Sequence, residues 1–186
     1  MTSRLFPRRR NFSRSDRARR VSANDGLNGR ELWKSDGTSA GTVLVKNLNA
    51  GANHSNPAEM TLVGNTVFFT ASDGISGREL WKTDGTDAGT TLVKDIFAGA
   101  DHANPSSLVN VNGHLWFRAI TATQGRRLWT TDGTAANTRP IADQPGLRNA
   151  DPVELTAVGT TCLLFFSADD NVLGRQLWSL DTVNVR

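Results

Sequence analysis

A nine-residue stretch, Arg78-Glu79-Leu80-Trp81-Lys82-Thr83-Asp84-Gly85-Thr86, recurs along the chain and constrains its fold more than any other feature. It stands earlier as Arg30-Glu31-Leu32-Trp33-Lys34-Ser35-Asp36-Gly37-Thr38 and later as Arg126-Arg127-Leu128-Trp129-Thr130-Thr131-Asp132-Gly133-Thr134. A worn fourth copy reads Arg175-Gln176-Leu177-Trp178-Ser179-Leu180-Asp181-Thr182. The tryptophans fall at 33, 81, 129 and 178, a period of 48, 48 and 49 residues. Self-similarity at such a spacing marks a solenoid, a propeller or an array, in which each unit buries its apolar face only against the next.

Each period reads as four short strands. In the second, Glu59 to Val63, Thr66 to Ala71, Arg78 to Thr83 and Thr90 to Ile96 are separated by Gly64-Asn65, by Asp73-Gly74 and by Asp84-Gly85. The third repeats this with Ser107 to Val111, His114 to Ile120, Arg126 to Thr131 and Thr138 to Ala142. Asn-Gly and Asp-Gly between apolar runs are hairpin signals, since glycine supplies the positive φ that tight turns need. A sheet with one wet face alternates apolar and polar residues. Here Val67, Phe68 and Phe69 are consecutive, and the neighbours Leu80 and Trp81 must point to opposite faces. Both faces of every sheet want cover, which favours an all-β, propeller-like array of four-stranded antiparallel blades. The tryptophans then belong to the core between blades. The repeat cores lie near 29–48, 58–96, 106–142 and 153–182, about three and a half blades. Closed propellers typically have about four to eight. The array is therefore expected to be open or incomplete, a fragment, or a unit that self-associates through its open blade ends.

Charge divides the chain in two. Residues 1–20 hold eight arginines and one aspartate, a net +7, whereas the remaining 166 residues carry 13 basic and 17 acidic side chains. The net charge of +3 averages these, so nucleic-acid binding by the repeats is disfavoured. Arg9-Arg10-Asn11-Phe12 superficially matches a twin-arginine export signal, but no apolar stretch follows it. Residues 1–20 read as a non-structural basic segment and residues 21–186 as the repeat domain. Cys162 is the only cysteine, in an apolar run that reads as buried strand, and no apolar run is long enough to span a bilayer.

The core Glu-Leu-Trp-x-x-Asp-Gly-Thr, completed by Gly41-Thr42 and Gly89-Thr90, resembles the bacterial ELWxxDGT repeat family over about residues 22–182. The third copy departs from the pattern at Arg127, Asn137 and Pro140, and the fourth lacks Gly-Thr, which withdraws the support for its last hairpin. The resemblance implies a propeller-like fold in a secreted or cell-surface bacterial protein and implies no enzymatic activity or cofactor.

Each candidate site has a structural reading beside the functional one. The repeat core comprises Leu32, Trp33, Asp36 and Gly37, then Leu80, Trp81, Asp84 and Gly85, then Leu128, Trp129, Asp132 and Gly133, with Leu177 and Trp178 last. Its aspartates suit turn closure by their own backbone, with Ca²⁺ bound by turn oxygens as the alternative, shared by Asp73-Gly74 and Asp169-Asp170-Asn171. His54 and His102 lie one period apart before Asn-Pro, and two ligands fall short of a zinc site. Arg30, Arg78, Arg126 and Arg175 recur before the Leu-Trp strand, either bonded structurally or forming a ring for carboxylates of an acidic glycan. No tyrosine nucleophile, phosphate loop or metalloprotease helix accompanies them. The sequence therefore favours a non-catalytic module, structural or binding an unidentified protein or glycan. A glycan-active enzyme with rim-loop catalysts and a Ca²⁺-binding surface repeat are the alternatives.

Overall fold

The computed structural model describes residues 19–123, 125–141, 150–159, 161–169 and 172–183, and every regular element among them is a strand. Four antiparallel sheets follow one another along the chain. Sheet 1 holds β1 (Arg19–Asn24), β2 (Arg30–Ser35) and β3 (Val43–Lys46). Sheet 2 holds β4 (Ala58–Val63), β5 (Thr66–Ser72), β6 (Arg78–Thr83) and β7 (Thr91–Lys94). Sheet 3 holds β8 (Ser106–Val111), β9 (His114–Thr121), β10 (Gly125–Thr131) and β11 (Arg139–Pro140). Sheet 4 holds β12 (Val153–Ala157), β13 (Leu163–Asp169) and β14 (Arg175–Asp181). The fourth strands of sheets 2 and 3 are shorter than the expected 90–96 and 138–142, and Ala142 lies outside the described residues.

One boundary is corrected. The sequence offered two strands over 29–48, yet sheet 1 has a third, β1, which opens at Arg19 inside the segment read as non-structural. A β-ladder needs extended backbone rather than apolar side chains, and β1 pairs with β2 from Arg19↔Ser35 to Asn24↔Arg30. Arg20 occupies the register position of Phe68 in sheet 2, and its guanidinium donates to the Asp84 carbonyl of the next sheet at 2.6 Å. The basic stretch 1–18 lies outside the described residues.

Between sheets, the expected opposition of Leu and Trp holds. Leu32 of sheet 1 packs with Phe69, Ala71 and Trp81 of sheet 2, while Leu80 of sheet 2 faces Phe117, Ala119 and Trp129 of sheet 3. Leu128 meets Phe166, Ala168 and Trp178 of sheet 4 in the same way. Phe117 and Trp129 stack with centroids 6.2 Å apart. Trp81 and Trp129 are buried, but Trp33 and Trp178 are only half-buried, so the core role assigned to all four is full for two.

The polar positions of the repeat bind neighbouring turns. Lys34 and Lys82 donate to the carbonyls of Gly85 and Gly133 in the next sheet at 2.9 and 2.8 Å. Lys46 and Lys94 reach the carbonyls of Thr90 and Thr138 at 3.1 and 2.8 Å. The first strands β4 and β12 both contact β8. Each of the three bends through a bulge near its start, where Glu59, Ser107 and Glu154 hold φ of 56°, 55° and 58°. Such bulges re-aim the adjoining side chains.

Candidate functional site

Most repeat-defining polar groups turn inward to the backbone. Oδ1 of Asp36, Asp84 and Asp132 accepts the amide of Thr38, Thr86 or Thr134 at 2.9, 2.8 and 2.8 Å, and the same threonine's hydroxyl at 2.7 Å. Thr38 and Thr86 hold Asp36 and Asp84 below the usual carboxylate range through these bonds. Burial raises Asp132, but the Asn137 amide and Thr134 outweigh it and leave it lowered as well. The second glycine of the motif follows from the same turn. A Cβ on Gly41 or Gly89 would sit 2.0 or 2.2 Å from the Asp36 or Asp84 carboxylate. Asn137 replaces that glycine in the third turn and donates Nδ2–H to Asp132 at 2.6 Å instead. Asp73 likewise accepts the amides of Ile75 and Ser76, and residues 170–171 of the last acidic loop lie outside the described residues.

The histidines act on the neighbouring loop. Nδ1 of His54 accepts the Arg30 amide at 2.7 Å, and Nδ1 of His102 accepts the Arg78 amide at 2.8 Å. Among the described residues, no three His, Cys, Asp or Glu side chains gather as a metal cluster. Cys162 is half-buried rather than buried, precedes β13, and its Sγ accepts the Asn112 amide at 3.3 Å.

Sequence reasoning passed over the motif's glutamate. Glu31 and Glu79 are fully buried in strands β2 and β6. Glu79 accepts the amides of Ile96, Phe97 and Ala103 at 3.0, 3.3 and 3.1 Å. Glu31 accepts those of Leu48 and Ser55 at 2.9 Å each, and the Ser55 hydroxyl at 2.6 Å. Each carboxyl therefore pins the linker that carries the chain into the next sheet. Desolvation outweighs the three amide donors and pushes the Glu79 carboxyl up to about 7.

The recurrent arginines do not form a ring of equals. Arg30 is exposed, whereas Arg78 and Arg126 line a cavity of about 370 Å3 between sheets 2 and 3. Arg118, absent from the sequence candidates, lines the same cavity. Glu59, Thr70, Asn104 and Ser106 complete the polar wall. Arg78 donates to the Asn56 carbonyl at 2.9 Å and the Thr70 hydroxyl at 2.8 Å. Arg118 Nε donates to the Ser106 hydroxyl at 2.9 Å and Nη1 to the Pro152 carbonyl at 3.3 Å. The single carboxylate of Asp151 faces Arg118 at 3.8 Å, Arg126 at 3.6 Å and Arg175 at 3.8 Å. Burial pulls Arg118 below its ordinary value and Arg126 pulls the same way, against Asp151 and Glu59. Arg78 is lowered by burial too, opposed by Glu59. Positive charge is thus concentrated beyond what its neighbours neutralise.

A smaller cavity of about 240 Å3 lies between sheets 3 and 4, lined by His114, Trp116, Thr130, Asp132, Asn137 and Arg139. Its Asp132 and Asn137 bond to each other, and Thr130 donates to the Leu115 carbonyl at 3.2 Å.

No family model and no curated protein matches the chain. Among solved structures it is similar to a chain from an analysis of two prolyl endopeptidases, at 11% identity and TM-score 0.57, over 85% of this chain and 22% of that one. It is also similar to a puromycin hydrolase mutant complexed with PGG, at 16% identity and TM-score 0.59, over 90% of this chain and 25% of that one. The chain therefore spans a quarter or less of the length of these two solved chains. At these identities the likeness concerns the fold alone, which is all-β and propeller-like.

Proposed function

We propose that this chain is a non-catalytic module of ELWxxDGT type, an open or incomplete arc of propeller blades that serves a bacterial secreted or cell-surface protein in a structural or binding role. The observation that carries this reading is the inward use of the repeat's polar groups. The aspartates, the buried glutamates and two of the three histidines hold turns and linkers. A residue type repeated because the fold needs it is not free to do chemistry.

The last described sheet presents an apolar face. Leu32, Leu80 and Leu128 are 0%, 0% and 6% exposed, whereas their equivalent Leu177 is 78% exposed. The face that takes a following sheet in three cases is uncovered in the fourth, and a blade from a second copy fits it by the same Leu-to-Trp packing. Light scattering on the full chain after size exclusion tests this. A dimer or higher closed oligomer that Leu177→Ser dissociates is expected, and a stable, well-behaved monomer would refute the arc.

An enzyme is the competing class. The prolyl endopeptidase and puromycin hydrolase likenesses cover a minority of those chains, so peptide hydrolysis does not carry over with the fold. Turnover is tested on acidic polysaccharides, sialosides and prolyl peptides. Reproducible activity that tracks the purified chain would overturn the non-catalytic reading.

A further inference from the structure

We propose that the cavity between sheets 2 and 3 binds a small carboxylate-bearing, hydroxyl-rich ligand through Arg78, Arg118 and Arg126. This deepens the binding reading above and rests on it.

At this corner the repeat departs from itself. In the ladders between the first and second strands, Ser106 pairs with Arg118, Ala58 with Thr70 and Val153 with Ser167. Sheets 2 and 4 thus place a small hydroxyl where sheet 3 places a guanidinium. At the bulge, sheets 2 and 4 carry Glu59 and Glu154, and sheet 3 carries Ser107. The first departure puts an additional guanidinium into this cavity, whereas the bulge residue that lines it is still Glu59, and fold maintenance requires neither departure, since sheets 2 and 4 form the same ladder and bulge without them.

Geometry then defines the ligand. Arg126 makes one long ion contact, to Asp151 at 3.6 Å, so its Nη groups have no protein acceptor among the described residues. Arg118 Nη2 is in the same state, its Nε and Nη1 being held by Ser106 and Pro152, which orient the fork. Arg78 is likewise held by Nη2 alone. The planar forks of Arg78 and Arg118, fixed by their own hydrogen bonds, match a planar carboxylate, and Arg126 adds a third guanidinium beside them. Glu59 on the same wall repels a dianion such as phosphate but accepts hydroxyl donors, as Thr70 and Ser106 can. The site is a shallow depression of about 370 Å3, wide open to solvent and large enough for one sugar-sized ring to rest on it.

The test uses the full chain and D-glucuronate as the probe, at low ionic strength, read by calorimetry and by the arginine Nε–H resonances. Glucose supplies the same ring without the carboxylate, and inorganic phosphate supplies an oxyanion without the ring. Glucuronate is expected to shift the arginine resonances with an affinity that falls as salt rises. Arg118→Ser, which installs the residue of sheet 4, is expected to weaken it about tenfold or more. Arg126→Gln gives the same readout should Arg118→Ser fail to fold. The site is overturned if glucuronate moves no arginine resonance, if glucose binds equally, or if neither folded variant weakens binding. Preference for phosphate overturns the carboxylate assignment. Hydrolysis of glucuronides by the wild-type chain would overturn the non-catalytic reading and leave the site standing, whereas absence of glucuronate binding overturns the site alone.

Discussion

Glu79 makes the stability of this fold depend on pH in a direction opposite to that of an ordinary paired carboxylate. Its side chain is fully buried, and the cost of desolvating the anion exceeds the help of three amide donors. The carboxyl rises from 4.5 to about 7. A group whose folded pKa is raised binds more protons in the folded state than in the unfolded one between those two values. Its contribution is complete below about 4.5 and is lost as pH rises through about 7. A tenfold change in proton affinity is worth about 1.4 kcal/mol, so the full effect is roughly 3 kcal/mol, a sizeable part of a typical domain's stability. The perturbation is pH, and Glu79→Gln supplies the reference, because the amide keeps the shape and one acceptor but does not titrate in this range. Urea unfolding of both chains in steps from pH 4.5 to 7.5 gives the difference in stability at each pH. The wild-type chain is expected to lose ground to Glu79→Gln steadily through this window, then level off. Asp36, Asp84 and Asp132 do not interfere. Their pKa values are lowered from 3.8, so their contributions are lost only as pH falls below the window. A difference that stays flat, or that grows in favour of the wild type as pH rises, would refute the claim that desolvation dominates at Glu79.

Gly89→Ala drives a Cβ to 2.2 Å from the Asp84 carboxylate and is expected to cost about 1–3 kcal/mol in chemical unfolding. Asn137→Gly, at the equivalent position, restores the motif and loses only the bond to Asp132, so it is expected to cost at most about 1 kcal/mol. Trp81→Ala and Trp129→Ala are each expected to cost roughly 3–5 kcal/mol, and Trp178→Ala less, in proportion to its partial exposure. Addition of millimolar Ca²⁺ is expected to leave the melting temperature unchanged, since Oδ1 of each repeat aspartate already closes its own turn; a clear rise would revive the Ca²⁺ alternative.

What was legible in the sequence is what local chemistry determines. The β6 strand and its Asp-Gly turn follow from side-chain alternation and from glycine's backbone freedom, and the opposite placement of Leu80 and Trp81 follows from the same alternation. The role of Glu79 was not legible, because its donors lie 17, 18 and 24 positions away and depend on where a linker crosses a strand. β1 escaped for a related reason. Arginines gave no apolar pattern, yet Arg20 has reach enough to bond a turn of the next sheet, 64 positions on. The arginine corner was half legible. The recurrent Arg78 and Arg126 marked a position, but the residue that gives the corner its excess charge, Arg118, is conspicuous only once the ladders align it with Thr70 and Ser167.

A repeat motif specifies the surfaces of a unit, and it leaves open what meets them. Leu80 and Leu177 occupy the same register, two residues after the recurrent arginine and next to a tryptophan, yet one is buried and the other lies open. The difference lies in neighbours. Leu80 has Phe117 and Trp129 of the following sheet against it, while the described residues supply nothing equivalent for Leu177. Polar contacts change in kind towards the same end. Lysines bind the turns of the next sheet at the first two seams, but Thr130 replaces Lys34 and Lys82 at the third and bonds within its own sheet. Sheet 4 is attached by apolar packing around Leu128, Phe166 and Ala168 together with the Arg118 and Arg126 contacts to Pro152 and Asp151. Energy in such an array is approximately a sum over adjacent seams, so a terminal sheet with one seam is the first to open. Amide exchange is accordingly expected to be fastest in β12, β13 and β14 and slowest in β5, β6 and β9, whose sheets are covered on both faces. Equal protection across all four sheets would mean that they unfold as one unit and that stability is not a sum over seams.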